Sequence, residues 1–550
     1  MDPEPKLAKM TGWYDPGQLA ETALKVVVSN LFGTRSDYRL IESFTAKQEL
    51  YDYSNKTDIW IDYVADLGDG WNSTFAVART IAEPLLSLSS PVSSDTYRTE
   101  RGHILVMGGD EVYPTADRDA YQEKLVAPYA TALAHSPAPE PHVYAIPGNH
   151  DWYDGLVSFS RLFFQNRWIG GWQTRQRRSY FALKLPHSWW LWGVDLQLES
   201  DIDQPQLDYF CEVAKERVNP GDRIILATAE PDWIYGNIYD LKLQNNLAFL
   251  EERVLRDAKA TLRVALAGDL HHYRRHQAAD GSGKQLITAG GGGAFLHPTY
   301  GPPTDTLKVG RERVTEYRLK EEFPTRQTSV KLLFMDLLFP FLNWKFGFLG
   351  GGLYLAIAWI YRTPMSEQIS RLSSHPTPGE QFSAFVQGLL ASPAGFFWIV
   401  AVVLGFWAFT DTHKRWYRLL GGGAHALSHL GGIVLSSYIG WLASELLIPD
   451  HVIARMLIGA AATFVSGYFV SGFLMGIYLF VSLLAFRRHA NEAFSALHWR
   501  HYKNFIRLHI DSTGTLAIYP VGIRKVPSGK NRLPISEVAP ALIEPPVYVR

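Results

Sequence analysis

The sequence predicts an α/β layer fold followed by a helical membrane region, and three observations carry that prediction. From about residue 58, short apolar runs alternate with helical patterns, the rhythm of strands and helices packed in layers. Several of those runs end in Gly-Asp or Gly-Asn, and ligands gather at the carboxyl ends of strands in such sheets. Beyond Phe323-Pro324 the composition changes to long apolar stretches, the last of them uncharged from Met456 to Phe486.

Taken in chain order, residues 1–57 read as an N-terminal extension with an amphipathic helix over 18–31. Met1 to Ala20 carries Asp2, Glu4 and two prolines where a signal peptide has a basic patch and an apolar run, which argues against secretion of this end. Strands are expected at 59–65, 104–107, 143–146, 189–194, 223–228 and 264–267, with helices over 204–218 and 246–259, in a catalytic domain spanning 58–325. An interfacial linker at 326–343 leads to four spans, 344–361, 395–410, 424–448 and 456–486, within 344–488. A β-rich tail, 489–550, shows a hairpin signal around Asp511-Ser512-Thr513-Gly514.

Basic residues crowd before the first span (Arg311, Arg313, Arg318, Lys320, Arg326, Lys331), between the second and third (Lys414, Arg415, Arg418), and after the fourth (Arg487, Arg488, Arg500, Lys503, Arg507). The other two loops hold only Arg362, Arg371 and Arg455, so the positive-inside rule places both termini and the catalytic domain in the cytoplasm. Gly347-x-x-x-Gly351 and Gly472-x-x-x-Gly476 permit close helix contact, either inside the bundle or in a homo-oligomer. His425 and His429 share a face of the third span, where they either ligate a metal or haem or sit in water at its cytoplasmic end.

The net charge of -1 excludes a strongly basic nucleic-acid binder, and 47% hydrophobic residues exclude a disordered chain. A lone Cys211 excludes a disulfide framework and a multi-cysteine zinc site, so any metal here takes oxygen and imidazole donors. Four motifs supply such donors: Asp66-x-Gly68, Gly109-Asp110-x-x-Tyr113, Gly148-Asn149-His150-Asp151 and Gly268-Asp269-x-His271, each directly after an apolar run. Two hard cations about 3.5 to 4 Å apart need a carboxylate shared between them. Asp110 is the natural bridge, because Gly109 lets the backbone turn tightly off its strand.

The ordered set resembles the calcineurin-like metallophosphoesterase superfamily over residues 58–298, and its Tyr113 is similar to the purple acid phosphatase variant. The resemblance implies a four-layer α/β/β/α sandwich, two divalent metal ions, and hydrolysis of a phosphomonoester or phosphodiester by a metal-bound hydroxide. It implies a first metal on Asp66, Asp110, Tyr113 and His271; in the competing reading Tyr113 only packs and Asp69 supplies the ligand. For the second metal the family would use Asp110, Asn149 and two histidines that this chain lacks. Its strand ends Ala227-Thr228-Ala229-Glu230-Pro231, and Asp269 stands in the other histidine's place. Either Glu230 and Asp269 substitute as carboxylates, favouring Mn, Mg or Fe over Zn, or one metal binds and the domain is slow or inactive.

By the same resemblance His150 stabilises the transition state or protonates the leaving oxygen, with Asp151 holding its imidazole. His272, Arg274 and His297 are candidate substrate contacts, and Gly290 to Gly293 forms either an anion-facing loop or a structural turn. The whole predicts an integral multi-pass membrane phosphoesterase acting at the cytoplasmic face of the lipid bilayer on a membrane lipid or a nucleotide. The alternative is a catalytically impaired sensor of phosphate ligands that signals through the helices.

Overall fold

The structure is a computed structural model and describes residues 7–32, 50–135, 141–196, 201–239, 245–370, 393–410, 415–447, 451–528 and 535–550, with a few isolated positions from 377 to 387. The chain forms two compact units: residues 1–11, 21–329 and 498–550 in one, 12–20 and 330–497 in the other.

The first unit is built on two sheets of nine strands each. In one, Phe181–Leu185, Trp189–Val194, Arg223–Thr228, Thr261–Ala267, Gln285–Ala289, Tyr273–Ala278 and Thr315–Phe323 lie side by side in that order, flanked by short edge strands. In the other, Leu516–Ile523, Lys503–Ile510, Ile59–Val64, Ile104–Met107 and His142–Ala145 form the central run. The expected strands recur with small shifts of their ends. The parallel neighbours Ile59–Val64 and Ile104–Met107 in one sheet, and Arg223–Thr228 between parallel partners in the other, are almost wholly buried, as sheets covered on both faces require.

Three apolar clusters separate four layers. Ile61, Tyr63, Leu183, Leu191, Ile225, Ile506 and their neighbours fill the space between the sheets. Trp71, Phe75, Val77 and Ile81 of the helix Trp71–Ile81 cover the outer face of one sheet; Leu207, Phe210 and Val213 of the helix Gln204–Glu216 cover the other. This is the expected α/β/β/α sandwich.

The tail set apart in the sequence joins this unit from His498 onward. Ile506 pairs antiparallel with Tyr63, Leu508 with Ile61 and Ile510 with Ile59, so Lys503–Ile510 completes the sheet beside a strand some 440 positions earlier. Buried Arg507 donates to both oxygens of buried Asp62, at 2.7 and 3.2 Å, which fixes the register of that pairing.

The second unit is helical. Arg415–Leu447 and Val452–Phe486 are long and apolar enough to cross a membrane. Arg326–Leu342 and Trp344–Tyr361, bent by 59° at their junction, match a span only if taken together. Pro393–Phe409 is apolar but has 17 residues, about 25 Å at 1.5 Å per residue, short of a hydrocarbon core of about 30 Å. Where four spans were expected, the helices that qualify by length and composition among the described residues are two, or three with the bent pair. Arg371 and Lys414, which entered the charge argument, and Ile448, at the end of the third expected span, lie outside the described residues.

Both small-residue motifs are used inside this unit. A Cβ on Gly351 would stand 2.7 Å from the Phe464 carbonyl, and one on Gly476 would stand 2.2 Å from that of Asp336. His425 and His429 are buried rather than wet, their Nε2 atoms 3.2 Å apart, with the Tyr354 hydroxyl 2.8 Å from His429 Nδ1.

Candidate metal centre

Three aspartates of the motifs stand just past the carboxyl ends of parallel strands, and all three have left-handed backbones: Asp66 at φ 58°, Asp110 at 53° and Asp269 at 64°. Non-glycine residues rarely adopt that region, and such conformations cluster at functional sites. The turns are packed too closely for larger neighbours: a Cβ on Gly148 would stand 2.1 Å from Asp110 Oδ1.

The Tyr113 hydroxyl joins the first donor set. It lies 2.8 Å from Asp66 Oδ1, 3.1 Å from Asp110 Oδ2 and 2.9 Å from His271 Nε2, while His271 Nε2 is 3.5 Å from Asp66 Oδ1. All four side chains are buried. His271 is braced from behind, with Nδ1 2.7 Å from the Phe295 carbonyl, which leaves Nε2 facing the carboxylates.

Asp69 is corrected as an alternative ligand. Its two oxygens accept from the Thr11 amide at 2.8 Å and the Phe295 amide at 3.1 Å, so the carboxylate ties three chain segments together. Asp151 is corrected as the partner of His150. It accepts from the Gly148 amide at 2.9 Å, the Glu111 amide at 3.2 Å and the Tyr121 hydroxyl at 2.5 Å, and so braces the loop. The His150 ring is held instead by the Pro114 carbonyl, 2.6 Å from Nδ1, and its amide donates to Asp110 Oδ1 at 2.9 Å.

The second donor set is arranged differently. Asp269 accepts from the Tyr235 hydroxyl, and the Asn149 amide nitrogen donates to the Tyr153 hydroxyl at 3.1 Å. Glu230 lies two residues past its strand, half-buried, and its charge acts on both Tyr153 and Tyr235. Asp269 is tied to the first set through its backbone, whose amide donates to Asp66 Oδ2 at 2.8 Å.

Of the candidate substrate contacts, Arg274 is corrected. It is buried and donates to Thr304 Oγ1 at 2.9 Å and to the Thr299 carbonyl, which spends its guanidinium on holding a loop. His297 stacks on His271 with ring centres 3.8 Å apart, and His272 is buried beside the His297 backbone. The glycine run is a packing turn: the Gly292 amide donates to the Ala65 carbonyl, and a Cβ on Gly290 would stand 2.3 Å from Asp66 Oδ2.

Burial pushes the carboxyls of Asp66, Asp110 and Asp269 up, and neighbouring carboxylates push Asp110 further. Burial also pushes His150 down to about 4 and His271 down to about 3, so both imidazoles are neutral at pH 7 and able to accept a cation. Among the described residues no group of three or more His, Cys, Asp or Glu side chains alone is arranged to hold a metal ion. With the Tyr113 oxygen included, the first set offers two carboxylates, a phenol and an imidazole, donors that suit a hard cation. In the second set, Asp269 and Asn149 are each engaged by a tyrosine.

Sequence reasoning missed three groups, two of them buried and Tyr235 half-buried. Glu111, beside Asp110, is fully buried, and burial, with the charges of Asp151 and Asp110, holds its carboxyl well above the usual range. Tyr235 holds Asp269. Lys503 reaches in from the tail strand, donates to the Ala294 carbonyl, and is lowered to about 7 by burial, an effect opposed by the charges of Asp69 and Asp66. No local signal marks Lys503 or Tyr235; Glu111 was legible only as a second acid in Gly-Asp-Glu.

Residues 59–273 match the family model for calcineurin-like phosphoesterases. No curated protein matches the chain. Among solved structures, a purple acid phosphatase from seeds of yellow lupin, Lupinus luteus, aligns at 11% identity over 44% of this chain and 46% of that one, with a TM-score of 0.29. That alignment spans under half of the lupin protein and bears no weight for the site. The family model, by contrast, lies directly over the strand-end motifs, and residues 59–273 carry a calcineurin-like phosphoesterase domain.

Proposed function

We propose that this chain is a membrane-embedded, metal-dependent phosphoesterase that hydrolyses a phosphomonoester or phosphodiester. The observation that carries the reading is the junction of Asp66, Asp110 and His271 at the Tyr113 hydroxyl, on the carboxyl ends of strands in the matched domain. Divalent cations on these donors would supply Lewis-acid polarisation of the ester and a nucleophile at neutral pH. The chain's own part is to hold Asp110 by the His150 amide, to brace the loop through Asp151, and to present a neutral His150 ring beside the site. There the ring would pass a proton taken up from water to the ester oxygen as it departs.

The substrate we infer is a phosphorylated molecule at the bilayer, a lipid or a nucleotide, handled on the cytoplasmic face. Orientation rests on the basic residues flanking the helices. The number of crossings is constrained by the sheet. Ile59–Val64 precedes the helices and Lys503–Ile510 follows them, yet the two are hydrogen-bonded neighbours. Both flanks therefore lie on one side of any membrane, and the crossings are even in number. Arg415–Leu447 and Val452–Phe486 make two, and the bent pair then adds no crossing of its own.

The test is metal content and turnover on phosphomonoesters and phosphodiesters by the purified full chain supplied with Mn²⁺, Mg²⁺, Fe or Zn²⁺. Metal-dependent turnover lost in Asp110→Ala supports the reading; no turnover with any metal overturns it. A second reading, an impaired phosphate-ligand sensor, is favoured by one observation: Asp269 and Asn149 are engaged by tyrosines rather than by each other.

A further inference from the structure

The same folded unit carries a second polar cleft that none of the site residues lines. Its volume is about 440 Å³, and its walls include Arg118, Arg161 and Arg167 with Tyr121, Gln122 and Gln165. No Asp or Glu is among the lining residues. Arg167 is oriented by the Gln165 side-chain oxygen, which accepts from its Nε at 3.1 Å and from one terminal nitrogen at 2.8 Å. Arg118 and Arg161 are exposed, and neither forms an ion pair with a carboxylate among the described residues.

Three guanidinium groups around one concavity repel one another and focus a positive potential into it. The planar fork of arginine matches phosphate oxygens in pairs, and the glutamine amides add neutral donors. The volume falls within the range of pockets that enclose a small molecule and exceeds what a lone simple anion needs. We propose that this cleft binds a phosphate-bearing small molecule, either a free phosphorylated metabolite or the phosphorylated headgroup of a lipid, as an anion site separate from the metal centre.

The cleft is also connected to the catalytic loop. Tyr121 lines it, and the Tyr121 hydroxyl donates to Asp151, whose carboxylate takes the Gly148 and Glu111 amides on either side of the site. A ligand against Tyr121 thus rests on the brace of the segment that carries Asn149 and His150. The proposal does not depend on turnover, so its failure and that of the phosphoesterase reading are distinguishable.

Calorimetric titration of the detergent-purified full chain, with EDTA present to exclude metal-dependent binding, tests it with two probes: inorganic pyrophosphate and dihexanoyl phosphatidic acid. We expect saturable, salt-sensitive binding of at least one probe, weakened roughly tenfold by Arg161→Gln and further by Arg118→Gln/Arg161→Gln, with unchanged thermal unfolding. Arginine-dependent binding of pyrophosphate alone assigns a soluble ligand; that of phosphatidic acid alone assigns a headgroup. Absence of binding by both probes, or equal binding by the double variant, overturns the proposal.

Discussion

The two halves of the metal centre use the same residue types and reach different degrees of order. Around Tyr113, two carboxylates and an imidazole converge on one oxygen within 2.8 to 3.1 Å. Across from it, Asp269 and Asn149 each turn to a separate tyrosine, and Glu230 sits half-buried past its strand. The difference lies in what braces each donor. His271 is fixed from behind by the Phe295 carbonyl and Asp66 by the Asp269 amide, whereas the carboxylate of Asp269 is held from the side by a phenol. A preassembled half binds a cation without rearrangement; the other half must first break its tyrosine contacts.

The comparison can be broken by a graded set of substitutions. Asp110→Asn, at the residue both halves share, should lower kcat/KM by roughly 10³-fold or more, the several kcal/mol that bound cations supply. Next in size, His150→Ala should cost about 10²- to 10⁴-fold in kcat, with bound metal unchanged by elemental analysis. Tyr113→Phe should lose about 10- to 100-fold in metal affinity, since the phenol oxygen joins the three donors of the ordered half. Asp269→Asn should cost about tenfold or less in the same titration. If Asp269→Asn proves as harmful as Tyr113→Phe, the two halves are equal partners and the comparison fails.

The smallest effect concerns Lys503, the buried cation facing the ordered half. Its folded value is about 7 against an ordinary 10.5, so between those values the unfolded chain binds more protons than the folded one. The stability of the metal-free protein should therefore rise with pH across that window. Lys503→Met should flatten the slope, measured as the difference between the two proteins in chemical unfolding from pH 8.5 to 10.

Much of this architecture is legible in the chain itself. Strands such as Ile104–Met107 are continuous apolar runs because both faces of the sheet are covered, and each ends where a small residue allows a left-handed aspartate. The donor set of the first half follows from those motifs. What stays hidden depends on distant partners. Asp69 looks like a ligand until Thr11 and Phe295 claim it, and Tyr273–Ala278 looks too polar for a strand until Glu544 and Thr304 satisfy Arg275 and Arg274. Hydropathy locates the apolar helices well, Pro393–Phe409 among them.

The strand Lys503–Ile510 also sets an order of events during synthesis. The edge of Ile59–Val64 that it pairs with must wait for some 440 further residues, roughly 20 to 90 s at about 5–20 residues per second. All the apolar helices leave the ribosome within that interval. That edge is thereby the last in its sheet to find a partner: until Lys503–Ile510 arrives, the backbone donors and acceptors on that side of Ile59–Val64 stand open, an invitation to aggregation and to proteases.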